Sequence, residues 1–186
     1  MPRNILNIFT PLTFLRLQSP GLKLFQWTIP GFLAVLSVFL YWQADTKPQL
    51  FVDKGIVISI NGLLSILIAF YIAALAAVAA FPNPILDQTM KGRPPELHTT
   101  RGGHPHIELM TRRRFMAILF GYSSFLSIVI YALGLASLSA YGVSTSFNND
   151  SNLAYFLVAI YSFILASLLS TTMLGLHYLI DRMHRD

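Results

Sequence analysis

GIVISINGLLSILIAFYIAALAAVAAF, from Gly55 to Phe81, holds no charged residue from end to end. A helix needs roughly 20 apolar residues to cross the hydrocarbon of a bilayer, and this stretch supplies them. Its ends are marked as well. Asp53 offers side-chain oxygen to first-turn amides, and Pro82 and Pro84 stop the helix because proline has no N–H and restricts its predecessor. Three further stretches repeat the pattern, from Leu22 to Gln43, Phe115 to Tyr141 and Leu153 to Ile180, none with a charge in its interior. Thr111 is placed to cap the third, and Asp150 or Asn152 the fourth. Trp27, Tyr41, Trp42, Tyr141 and Tyr155 stand near span ends, where amphipathic rings favour the headgroup layer.

Composition agrees. Only 11% of the 186 residues are charged, against about 25% in a soluble domain, and these charges cluster in short segments. The fold class expected is all-α, a polytopic membrane protein with four transmembrane helices plus N-terminal interfacial helices. The chain divides into an interfacial segment (1–21), a first transmembrane hairpin (22–81), a basic loop (82–114), a second transmembrane hairpin (115–180) and a tail (181–186). The first span is too long for a secretory signal, and no small-x-small cleavage site follows Trp42, so it is read as retained.

Of the 13 Lys and Arg, all but Lys47 and Lys54 fall on one side of the bundle, in the N-terminal segment, the central loop and the tail. Basic residues resist translocation, so both termini and the loop are expected to be cytoplasmic. The net charge of +5 is thereby read as topology. Ahead of the first span, Thr10-Pro11 and Ser19-Pro20 each look like a cap followed by a first-turn proline. They predict two short helices lying in the interface, with Arg16 and Lys23 at headgroup level.

Inside the membrane, helices associate through close backbone approach and polar side chains. Stripes suited to this are Asn61, Ser65, Ala69, Ala73, Ala76 and Ala80 on the second span, and Ser124, Ser127, Tyr131 and Gly134 on the third. On the fourth they are Tyr155, Ala159, Ser162, Ala166, Ser170 and His177. The helix-packing residues expected are Asn61, Ser124, Ser127, Ser162 and Ser170, with Asn61 bonding across helices. The same stripes also admit a conduction path. Coupled cation transporters usually expose a buried carboxylate, and these spans have none.

The loop from Pro82 to Arg114 is longer than usual connections, which leaves a functional loop, a lid or disorder. Pro94-Pro95 and Gly102-Gly103 argue against a continuous helix. Lys91, Arg93, Arg101, Arg112, Arg113 and Arg114 are the candidates for binding anionic lipid or a cytoplasmic protein partner. Direct nucleic-acid binding is disfavoured because the loop lacks aromatics for stacking. His98, His104 and His106 in the loop, with His177 and His184 about the end of the fourth span, are the only candidates for a metal, and their spacing is weak. No metal or other cofactor is expected.

Cysteine is absent, which excludes disulfide shuttling and thiolate chemistry. There is no phosphate-binding glycine loop, metalloprotease HExxH or nucleophile elbow, and no enzymatic activity is expected.

From Glu108 to Ser127 the chain reads ELMTRRRFMAILFGYSSFLS, preceded by PNPILD (82–87) and RPPEL (93–97). In this layout, in span number and in the basic TRRRF boundary it resembles small four-span membrane proteins of bacterial anti-phage defence. The membrane subunit of the Kiwa system is the nearer in architecture, and the membrane effector of certain retrons is a second such class. The resemblance implies a sensor or anchor of the bacterial inner membrane that oligomerises and engages a cytosolic DNA-binding partner. The retron class implies instead an oligomeric pore that permeabilises the membrane. A small transporter is the remaining alternative.

Overall fold

The computed structural model describes residues 6–44, 55–84, 86–90, 95–101, 104–143 and 152–183. Four helices are long and apolar enough to cross a membrane: Gly21–Gln43, Ile56–Ala80, Arg112–Ser139 and Ala154–Tyr178. The protein is a four-span helical membrane protein. Asp53, Asp150, both short connecting loops and the last residues of the tail lie outside the described residues.

The N-terminal segment departs from its expected form. A single 3₁₀ helix spans Leu6–Arg16 with Pro11 inside it. Ser19 then occupies the N-cap position before Pro20, but its hydroxyl makes no capping bond. The helix that follows, α1 (Pro20–Lys23), does not stop in the interface. It passes through a π turn, Leu24–Thr28, straight into α2 (Ile29–Gln43), so all three form the first span. Pro30 accounts for the wider turn, since a proline there cannot donate to the carbonyl four residues back and its ring would clash with it.

The 3₁₀ helix turns part of its apolar face into the protein. Phe14 and Leu17 are buried in the protein core. Phe14 stacks on Tyr122 of the third span with centroids 4.8 Å apart, and its carbonyl accepts a 2.6 Å hydrogen bond from the buried Gln26 carboxamide in the π turn. The segment is therefore wedged between spans 1 and 3.

The remaining helices are α3 (Ile56–Ala80), α4 (Arg112–Val143) and α5 (Asn152–Met183). At 1.5 Å per residue the last two are each about 48 Å long, well beyond the ~30 Å hydrocarbon layer. α4 packs against α3 and α5, and α2 packs against α5. Spans 1 and 2 are consecutive, but α2 and α3 make no extensive contact among the described residues. The spatial order is α2, α5, α4, α3, and the first transmembrane hairpin is one in connectivity alone. An apolar groove of about 340 Å³ opens between α2 and α3, floored by Val158 and Tyr161 of α5.

Outward faces carry large apolar side chains such as Phe32, Val35, Ile66, Phe70, Phe156 and Met173, each at least half exposed. Lipid covers such faces at no hydrophobic cost. The buried cluster gathers toward the basic end, where Phe14, Leu17, Met90, Leu97, Met110, Phe115 and Met116 join loop, N-terminal segment and bundle.

Because Phe14 is fully enclosed, Phe14→Ala should cost about 3 kcal/mol or more through lost burial and the cavity left behind. Reversible unfolding in mixed micelles measures this; Phe39→Ala on the outward face of α2 should change stability by well under half as much.

Candidate functional site at the basic end of the bundle

Helix α4 begins at the membrane boundary with first-turn amides that have no intrahelical acceptor. The loop supplies them. Arg112 N–H donates to the Gln88 carbonyl (3.1 Å) and Arg113 N–H to the Leu86 carbonyl (2.8 Å). Arg114 N–H donates to Thr111 Oγ1 (3.3 Å), so Thr111 is the cap that its position predicts.

Arg113 completes the joint with its side chain. Nε and Nη2 donate to the two carboxylate oxygens of Asp87 at 2.7 and 3.4 Å, while Nη1 donates to the Val78 carbonyl at 2.7 Å. Val78 lies in the last turn of α3, whose carbonyls lack helical partners. One guanidinium thus ties the end of span 2, the loop and the start of span 3 together.

Arg112 is buried, at 8% exposure, and its Nε has no hydrogen-bond partner. Arg114 is exposed. The three arginines read as one basic cluster are thus three different things, and Arg113 is occupied by the fold. Lys91, Arg93 and His184 lie outside the described residues.

Among the described residues of the loop, β1 (Glu96–Arg101) and β2 (His104–Leu109) are strands. They form an antiparallel hairpin in which Arg101 pairs with His104 across two residues, Gly102 and Gly103. Gly-Gly between two equal runs is a two-residue hairpin signal, and it was there to be read in ELHTTR-GG-HPHIEL. Reading the glycines only as helix breakers missed it.

The hairpin is fastened at its base. Gln18 N–H donates to the Glu96 carbonyl (3.0 Å) and Glu96 N–H to the Gln18 carbonyl (3.2 Å), which links β1 to the N-terminal segment. Met90 N–H donates to the Met110 carbonyl (3.2 Å) beyond the end of β2. Leu97 and Met110 are buried beneath.

Since Glu96 turns its N–H and C=O toward Gln18, alternation along the strand turns those of His98 and Thr100 to the same outer edge. Nothing among the described residues pairs with them there. The other edge is blunted by Pro105, which stands opposite Thr100 and has no N–H to offer.

The pairing also separates the loop histidines. His104 is opposite Arg101 and His106 opposite Thr99, while His98, opposite Ile107, has the other strand parity. His177 is exposed at the end of the bundle. Among the described residues no three His, Cys, Asp or Glu stand close enough to share a metal ion.

Within the membrane, Ser124, Ser127 and Ser170 are buried, and Ser162 instead lines the groove between α2 and α3. Their neighbourhood is packed rather than bonded across helices: Ser127 donates to Ser123 O (2.8 Å) and Thr171 to Ser167 O (2.7 Å), each within its own helix. A cross-helix hydrogen bond runs between Tyr71 of α3 and Thr172 of α5, at 2.5 Å.

Asn61 is buried against Gly134, where an added Cβ would come within 2.5 Å of its amide atoms, yet neither amide atom has a hydrogen-bond partner. Among the described residues the expected interhelical bond is not made, and shape takes its place. The face that α3 turns inward is Val57, Asn61, Leu64 and Tyr71. Ser65, Ala69, Ala73, Ala76 and Ala80 are exposed, so among the described residues that stripe is not the packing face of α3.

No protein-family model, curated protein or solved structure matches the chain.

Arg113→Ala removes a bidentate pair and a helix-end cap and should cost about 2–3 kcal/mol. Asp87→Ala breaks only a pair with an exposed carboxylate and should cost under about 1 kcal/mol. Thermal unfolding of the two variants in one detergent tests that order.

Proposed function

We propose that this protein is a non-enzymatic anchor or sensor of the bacterial inner membrane that docks a cytoplasmic protein through the β1–β2 hairpin. The observation that carries this reading is the outer edge of β1. It offers the backbone N–H and C=O of His98 and Thr100 to an incoming strand, on a hairpin whose base is fixed to the bundle. The excess of Lys and Arg at this end supports placing it in the cytoplasm, with both termini. Basic residues in the hairpin and flanking it in sequence, Arg93, Arg101 and Arg114, favour a partner with an acidic surface.

Oligomerisation is supported separately by the exposed small-residue face of α3, which lets another helix approach closely. The resemblance to membrane subunits of anti-phage systems supports defence as the setting and a DNA-binding protein as the partner, with the hairpin as the contact. The pore reading gains nothing within one copy, because Ser123, Ser127 and Thr171 are enclosed.

Thr100→Pro deletes an outward N–H while leaving the pairing with β2 intact. Affinity purification from the native host should recover one protein with the wild type and lose it with Thr100→Pro and with Arg101→Glu. Recovery of the same protein by both variants would remove the hairpin from this role. For the α3 face, Ala69→Leu with Ala73→Leu should shift the purified chain toward monomer in mass photometry, and an unchanged mass would exclude that face.

A further inference from the structure

A cavity of about 310 Å³ opens at the basic end of the bundle. Leu22 and Phe25 of span 1 and Leu174 of α5 give it an apolar side, and Ser19 and His177 a polar one. No carboxylate lines it among the described residues. Lys23, exposed, follows Leu22. Phe115 of α4 also lines the cavity, and Arg112 stands one turn away on the same helix face.

Arg112 carries a cationic guanidinium. It is 8% exposed, its Nε is unpartnered, and no carboxylate pairs with it among the described residues. Burying such a charge without an anion is costly. At the depth where α4 enters the membrane, the anion already in place is the phosphate of a lipid. We propose that the cavity holds a membrane phospholipid, with its phosphate between Arg112 and His177 and the first part of its chains along Leu22, Phe25 and Leu174. Arginine suits phosphate because its fork donates two parallel hydrogen bonds. The inference needs only that the spans cross a bilayer, and it is independent of orientation and of the hairpin's partner.

One internal competitor exists. Phe115 packs on Tyr178, so the antiparallel register of α4 and α5 brings Asp181, one turn further along α5, to the level of Arg112. Variants separate the two arrangements. The full chain in non-ionic detergent is titrated with phosphatidylglycerol, with diacylglycerol of the same chains, and with inorganic phosphate, and bound species are counted by native mass spectrometry. Phosphatidylglycerol should be retained at concentrations at least tenfold lower than either of the others. Arg112→Gln should weaken that retention about tenfold, and Asp181→Asn should not weaken it.

Gly21 lines the cavity, and a Cβ added there meets nothing within 4 Å. Gly21→Leu places bulk in the cavity wall from an unobstructed Cβ and should also weaken retention about tenfold, whereas Gly21→Ala should keep most of it. Three results would each overturn the proposal: undiminished retention by Gly21→Leu, undiminished retention by Arg112→Gln, or inorganic phosphate binding as tightly as the lipid.

Discussion

Where α4 enters the membrane, its first backbone amides must find acceptors in a place where water is running out. That constraint organises the basic end of the molecule. The carbonyls of Leu86 and Gln88 and the hydroxyl of Thr111 meet those amides, and Arg113 closes the joint by reaching back to Val78 in the last turn of α3. The chain between the spans is therefore held in a defined path on both flanks. A hairpin can stand on such a base; on a slack connection it would be a marginal two-stranded ribbon.

The bundle shows a division of labour between large and small residues. α4 contributes Gly134 and α3 brings Asn61 to meet it, with Leu64 and Tyr71 buried on the same face of α3. Close approach is achieved by fitting bulk against absence of bulk, while Ser127 and Thr171 return their hydroxyls to their own helices. A consequence is that the alanine face of α3 is left outside, facing lipid or another copy. The loose relation between α2 and α3 has the same root, since each is recruited by a different central helix.

The N-terminal segment joins these parts. Phe14 and Gln26 lock it between spans 1 and 3, and Gln18 passes on to β1 two residues after the helix ends. Hairpin, N-terminal segment and the cavity beside Ser19 thus share one framework. Anything that pulls on β1 bears on residues that wall the cavity.

The four spans, the cap at Thr111 and the charge asymmetry were legible in the sequence, because each depends on local composition: a run of apolar residues, an oxygen at one position, a count of charges. The hairpin was half legible, in Gly102-Gly103 between two equal runs. Three features were decided by the tertiary structure. Which face of α3 turns inward depends on the shape of α4, and small residues look alike whether they pack or wait for a partner. The separate fates of Arg112, Arg113 and Arg114 depend on which carbonyls, carboxylates and helix ends lie nearby, and adjacent arginines carry no mark of that. The merging of α1 with span 1 depends on a π turn accommodating Pro30, where local rules predict a break. Lipid selects for apolar runs one residue at a time, so the spans are written in sequence; contact is a property of pairs, so the site is not.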